Sequence, residues 1–187
     1  MLKVAAPLGF LTGCLTAIAL VAAAQAQTAS GVAGGFRTAA SSIQRLMGAM
    51  TQLRLTTCAP VFQQAGSFLF ENAEVQFVVQ PLGPDTNRWP TVVTAEGSYP
   101  AKPGAPAQTR LTTMIVAPAG TCAGLYQQVI YWPEPCATLK TRVFGAFTGD
   151  KLLQARVRQS EAGPALQLYL MPAGTNGCVS VKKELIG

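Results

Sequence analysis

Three runs near the end of the chain decide the fold: LLQARVRQS (152–160), ALQLYLM (165–171) and CVSVKKEL (178–185). In the first, Leu153, Ala155 and Val157 alternate with Gln154, Arg156 and Arg158. In the second, Leu166, Leu168 and Leu170 alternate with Gln167, Tyr169 and Met171. In the third, Val179, Val181 and Leu185 alternate with Ser180, Lys182 and Glu184. A period of two marks strands with one face packed and one face wet. The joints Glu161–Pro164 and Pro172–Gly177 are short and rich in turn residues. Short joints make antiparallel neighbours.

Upstream, Ala137–Phe147 shows the same alternation, with Leu139, Val143 and Phe147 against Lys140, Arg142 and Phe144. Leu125–Trp132, Gln108–Ala117 and Thr91–Tyr99 also read as strands, and Ser67–Phe70 with Glu74–Gln80 as one long or two short ones. Clusters at Pro81–Asp85, Pro100–Ala107, Pro118–Thr121 and Pro133–Pro135 separate them. Before Pro60 the period lengthens: Phe36, Ala39, Ala40, Ile43, Leu46, Met47, Met50 and Leu53 share one helical face. The pattern predicts an α+β fold. An N-terminal amphipathic helix precedes six to eight mostly antiparallel strands, forming a sandwich or a partly closed barrel.

The first residues follow other rules. Lys3 is the only charge before a long apolar run, which ends at Ala24-Gln25-Ala26. A positive start, an apolar middle and an A-x-A end make a secretory signal peptide over 1–26. A small, Gly-rich leader (27–35) and a single domain (36–187) follow. The same run is long enough to stay as an anchor, and Leu11-Thr12-Gly13-Cys14 spells a lipoprotein box. The strongest apolar stretch comes after Cys14, where a lipidated cysteine would begin a polar tether. Membrane contact is expected only if the segment is retained or Cys14 is lipidated. The reading points to a periplasmic or secreted protein.

The 187 residues are one domain's length, 49% hydrophobic and only 12% charged, against roughly 25% charged for an average soluble domain. This excludes a disordered polar tail. There is no histidine, which removes Ser-His-Asp and Cys-His catalysis and histidine metal sites. No GxSxG, Walker or GxGxxG pattern occurs. Glu71 and Glu74 lie three apart and would point to opposite faces of a strand, so they do not make a glycosidase pair. The expectation is a non-enzyme with no cofactor and no metal.

Cys58, Cys122, Cys136 and Cys178 follow the export segment. An even number in an exported chain predicts two disulfides. With strands running strictly up and down, Cys122 and Cys178 fall at one end of the sheet and Cys58 and Cys136 at the other. Parity therefore favours Cys58–Cys136 and Cys122–Cys178.

Charge supplies the functional signal. Residues 137–187 hold seven basic and three acidic side chains, net +4, whereas 27–136 hold six and five, net +1. The wet face is expected to carry Lys140, Arg142, Arg156, Arg158 and Lys182, with a turn at Thr148-Gly149-Asp150. Arg142 then lies opposite Arg156, Lys140 opposite Arg158, and Tyr169 beside Arg156 for a cation–π contact. Such a face would dock a protein partner or an anionic envelope component, such as lipid, lipopolysaccharide or glycan. Nucleic acid is the least favoured partner, because only Tyr169 and Phe144 are available for stacking. The alternative is a small-ligand or inhibitor-type barrel with its site in the loops near Trp89 and Trp132, each of which precedes a proline.

Overall fold

The computed structural model describes residues 39–70, 73–103, 106–118, 120–153 and 156–187. The export segment, the leader, Cys14 and the start of the domain at 36–38 lie outside the described residues. Helix α1 spans Ala39–Gln52. Its stripe is the expected one, with Leu46 and Met50 fully buried and Ile43, Met47 and Leu53 packed beside them.

Helix α2 spans Ala59–Leu69. The sequence reading placed a strand over part of it, at Ser67–Phe70. Pro60 opens this helix, because its fixed φ suits a first turn and its missing N–H goes unneeded there. Phe62, Ala65, Gly66 and Leu69 recur at helical spacing and are buried.

Strands β1 (Glu74–Pro81), β2 (Thr91–Tyr99), β3 (Gln108–Ala117) and β4 (Ala123–Trp132) follow as antiparallel neighbours. Helix α3 (Cys136–Arg142) comes next, then β5 (Thr148–Leu153), β6 (Val157–Glu161), β7 (Leu166–Ala173) and β8 (Gly177–Ile186). The order across the sheet is β1-β2-β3-β4-β8-β7-β6-β5, with every neighbour antiparallel. This is one open eight-stranded sheet, so the expected barrel or sandwich is corrected to an open sheet.

The predicted strand Ala137–Phe147 is also corrected. Its first half is α3, and the remainder is a turn held by bonds such as Val143 N–H to Leu139 O and Phe147 N–H to Phe144 O. Alternation misled here because Leu139 and Val143 lie four apart, which satisfies both periods. Leu139 is fully buried against Ile130, Trp132, Leu168 and Leu170, and that packing decides for the helix. The predicted strand Leu152–Ser160 is two strands, β5 and β6, joined by a turn that includes Arg156.

Among the described residues, the three helices lie on one face of the sheet. The α1–α2 layer packs on Val75, Phe77, Val79, Val93, Met114 and Tyr126. Leu139 of α3 packs on the same face further along, over Leu168 and Leu170. The two disulfides are Cys58–Cys122 and Cys136–Cys178, with Cα atoms 5.6 and 5.0 Å apart. The parity pairing is thus wrong, for two reasons visible in the topology. Helix α2 crosses the sheet once more than the strand reading allowed, which brings Cys58 to the end that holds Cys122. The segment from Pro133 to Phe147 is a crossover, because β4 and β5 run in the same direction. Each disulfide pins the start of a helix, α2 or α3, to the sheet. With sequence separations of 64 and 42, each adds about 4 kcal/mol in the loop-entropy account. Two disulfides are the chemistry of an oxidising, extracytoplasmic compartment. Among the described residues no helix is long and apolar enough to cross a membrane.

Candidate binding surface

The six residues expected to form a basic strand face do not share one. Lys140 and Arg142 stand in the last turn of α3, where the helix dipole favours cations. Lys140 donates to Phe147 O. Arg142 pairs with Glu134 and lies 6.0 Å from the Trp132 ring centroid. The Glu134 carboxylate pushes the Arg142 pKa up, so its charge is secure. Arg156 is exposed in the β5–β6 turn. Arg158 pairs with Asp150 and stands opposite Leu152 and Leu170.

Lys182 sits on the helix-covered face, in register with Gln128 and Leu168. It lies 3.1 Å from Glu184 and 5.3 Å from the Tyr126 ring centroid. Tyr169 stands opposite Gln159, not beside Arg156, and is on the other face. Lys183, rather than an arginine, lies over its ring at 5.3 Å. Arg158 and Lys182 therefore share the sheet face that the helices cover, Lys140 and Arg142 stand on helix α3 over that side, Tyr169 is on the opposite face and Arg156 is in a turn.

A polar strip runs along the helix-covered face between the α1–α2 layer and α3. It contains Arg110, Thr112, Gln128, Lys182 and Glu184. The Arg110 guanidinium lies 3.9 Å from the Tyr99 ring centroid and donates to Gln108 Oε1 at 3.0 and 3.2 Å. Burial lowers the Arg110 pKa, and burial raises that of Tyr99, whose hydroxyl donates to Leu69 O. Tyr126 donates to Glu184. Burial, then that bond and charge, push the Tyr126 pKa well above the usual phenol range. These contacts tie strand to strand and strand to helix, and leave the buried Gln108 Nε2 without a hydrogen-bond partner among the described residues.

The two tryptophans lie at opposite ends of the sheet. Trp132 is buried, and its indole N–H donates to Ser180 Oγ at 2.8 Å. It packs edge-on against Phe144. Trp89 is half exposed in the β1–β2 connection and covers Gly83, where an added Cβ would meet its ring at 2.3 Å. They do not form one site, and an open sheet has no barrel mouth between them.

The surface that strand alternation missed is the face away from the helices. Leu111, Ile115, Tyr131 and Leu185 are 47, 40, 58 and 62% exposed there. Their strands carry apolar residues on both faces: in β3, Leu111 and Ile115 point out while Met114 and Val116 point in. Such near-continuous apolar runs normally belong to strands covered on both sides. That signal was present in the sequence at Leu125–Trp132 as well, where Leu125, Val129 and Tyr131 oppose Tyr126, Ile130 and Trp132. Among the described residues no cluster of His, Cys, Asp and Glu could hold a metal ion. Compared with protein-family models, curated proteins and solved structures, the chain matches none of them.

Proposed function

We propose that the chain is a non-enzymatic binding or assembly protein of the cell envelope, periplasmic or secreted, whose basic half docks an anionic partner. One observation supports this reading. The residues that follow β4 build one contiguous side of the molecule, α3 with β8, β7, β6 and β5, and that side carries the net +4 of residues 137–187. Charge is thus gathered on one side even though it is not gathered on one strand face. Lys151 and Arg156, on and beside the β5–β6 hairpin, are exposed at its far edge. An edge hairpin rich in long cations resists pairing with other strands and attracts anions at longer range.

The test is capture from envelope extract by the disulfide-bonded chain and by a Lys151→Glu, Arg156→Glu variant. The reading expects a partner held by the parent, released as ionic strength rises, and lost by the folded variant. Equal capture by both would contradict it.

A further inference from the structure

We infer that the open face of the sheet is a self-association surface, and that its occupant is a second copy of this chain, stacked face to face about a two-fold axis parallel to the strands. One cross-strand row carries the inference. At its centre Leu111, Val129, Val181 and Tyr169 stand side by side on β3, β4, β8 and β7. On one flank the row continues through Glu96 to Gln76. On the other it continues through Gln159 to Lys151. The row reads polar, acidic, four apolar or aromatic, polar, basic.

A two-fold axis between β4 and β8, along the strands, lays this row on its own reversed copy. Leu111 then meets the partner's Tyr169, and Val129 meets the partner's Val181. Glu96 meets the partner's Gln159, next to the partner's Lys151. The neighbouring polar row behaves likewise. Thr113 and Gln127 are in register with Lys183 and Gln167, so Gln127 meets the partner's Lys183 and Thr113 the partner's Gln167. In these rows each lysine gains a glutamine oxygen as acceptor, and no charge meets its like. The other in-plane axis, across the strands, lays each strand on its own copy. Run through the central row it sets Glu96 against Glu96, and run through the neighbouring row it sets Lys183 against Lys183. Like charges placed so are repulsive.

The apolar content extends beyond that row. Ile115, Leu125 and Leu185 form a second patch toward one end, and Tyr131, Val179 and Met171 a third toward the other. Six strands at about 4.8 Å spacing and roughly 27 Å length present on the order of 800 Å² per copy, the size of a standard stable interface. Two stacked sheets would lie about 10 Å apart with interdigitated side chains, as in a sandwich. Lys151 is common to this inference and to the docking function proposed for the basic half, whereas Arg156, in the β5–β6 turn, belongs to the docking function alone.

Sedimentation equilibrium of the disulfide-bonded chain tests it. The parent is expected to be a dimer at micromolar concentration. Leu111→Glu, on an already exposed position, is expected to weaken association at least about 100-fold, as for a central apolar anchor. Glu96→Lys and Lys151→Glu are each expected to weaken it by about 5-fold, and the double reversal to recover most of that, since the pair couples only across the interface. Near-ultraviolet circular dichroism checks that each variant is folded. A parent that stays monomeric, or a dimer indifferent to Leu111→Glu, would overturn the inference and leave the face to lipid or another protein. A double reversal no better than the singles would overturn the axis. Arg156→Glu alone separates the two readings: the dimer is expected to survive it, and anion capture is expected to be lost.

Discussion

The β1–β2 hairpin and the four strands beside it treat water differently. In β1 and β2 the inward residues Val75, Phe77, Val79, Val93 and Ala95 are buried, and the outward set is mostly polar, with Glu74, Gln76, Thr94, Glu96 and Ser98. In β3, β4, β8 and β7 the outward set is largely apolar, while the covered face combines apolar residues with the polar strip of Arg110, Thr112, Gln128, Lys182 and Glu184. Met114, Tyr126 and Leu168 are buried under the helices, while Leu111, Tyr131 and Leu185 face out. The hairpin has one packed face and needs nothing further. The middle strands carry apolar residues on the side that no described helix covers. A surface of that kind is normally an interface.

The sharpest way to break this comparison is to delete apolar mass from each face in turn. Met114→Ala, on the covered face and fully buried, is expected to cost about 2–5 kcal/mol of stability. Leu111→Ala, three residues earlier on the open face, is expected to change the stability of the monomer by less than about 0.5 kcal/mol. Urea denaturation at a concentration low enough to keep the chain monomeric measures both. Equal losses would mean that the open face is packed after all.

The helix side can be loosened next. Replacing Cys136 and Cys178 together by serine is expected to cost about 2–4 kcal/mol, because the cross-link closing α3 onto β8 is lost. A thermal melt of the variant beside the parent checks it. A smaller loss is expected from Ser180→Ala, which strands the buried Trp132 indole N–H. An unsatisfied buried donor costs about 1–3 kcal/mol, and tryptophan fluorescence during unfolding follows it.

The smallest effect is on pH dependence. Tyr126 keeps its proton in the folded chain because burial and Glu184 raise its pKa, whereas an unfolded tyrosine ionises near about pH 10. Its contribution is complete below that pH and is lost as pH rises beyond it. Tyr126→Phe is therefore expected to flatten the alkaline fall in stability between about pH 10 and 11.5. Denaturation midpoints across that range decide it, and an unchanged slope would contradict the assignment.

Much of the sheet was legible in the sequence because period two is unambiguous where polar and apolar residues alternate, as from Glu74 to Gln80 and from Thr91 to Tyr99. The reading failed where a segment met two periods at once. Leu139 and Val143 suit a strand and a helix equally, and only the burial of Leu139 under a disulfide-tied turn chooses between them. The amphipathic stripe stops short of Pro60, yet Pro60 begins a second helix. Those two misreadings removed one crossing and hid one crossover, and the disulfide pairing failed with them. The basic residues were counted correctly as belonging to the last third. Their placement on a single face rested on the helix that had been taken for a strand. The open apolar face was written in the double-sided composition of β3 and β4, but no single-chain rule says which side of such a strand is left uncovered.

The most direct test of the account is a register-specific cross-link across the open face. Chains carrying Leu111→Cys and chains carrying Tyr169→Cys would be mixed and treated with a bismaleimide of about 10 Å span, the spacing of stacked sheets. The account predicts a covalent dimer from the mixture and little from either chain alone, since Leu111 faces the partner's Tyr169 and neither residue faces its own copy. Equal cross-linking in all three samples, or none in the mixture, would contradict it.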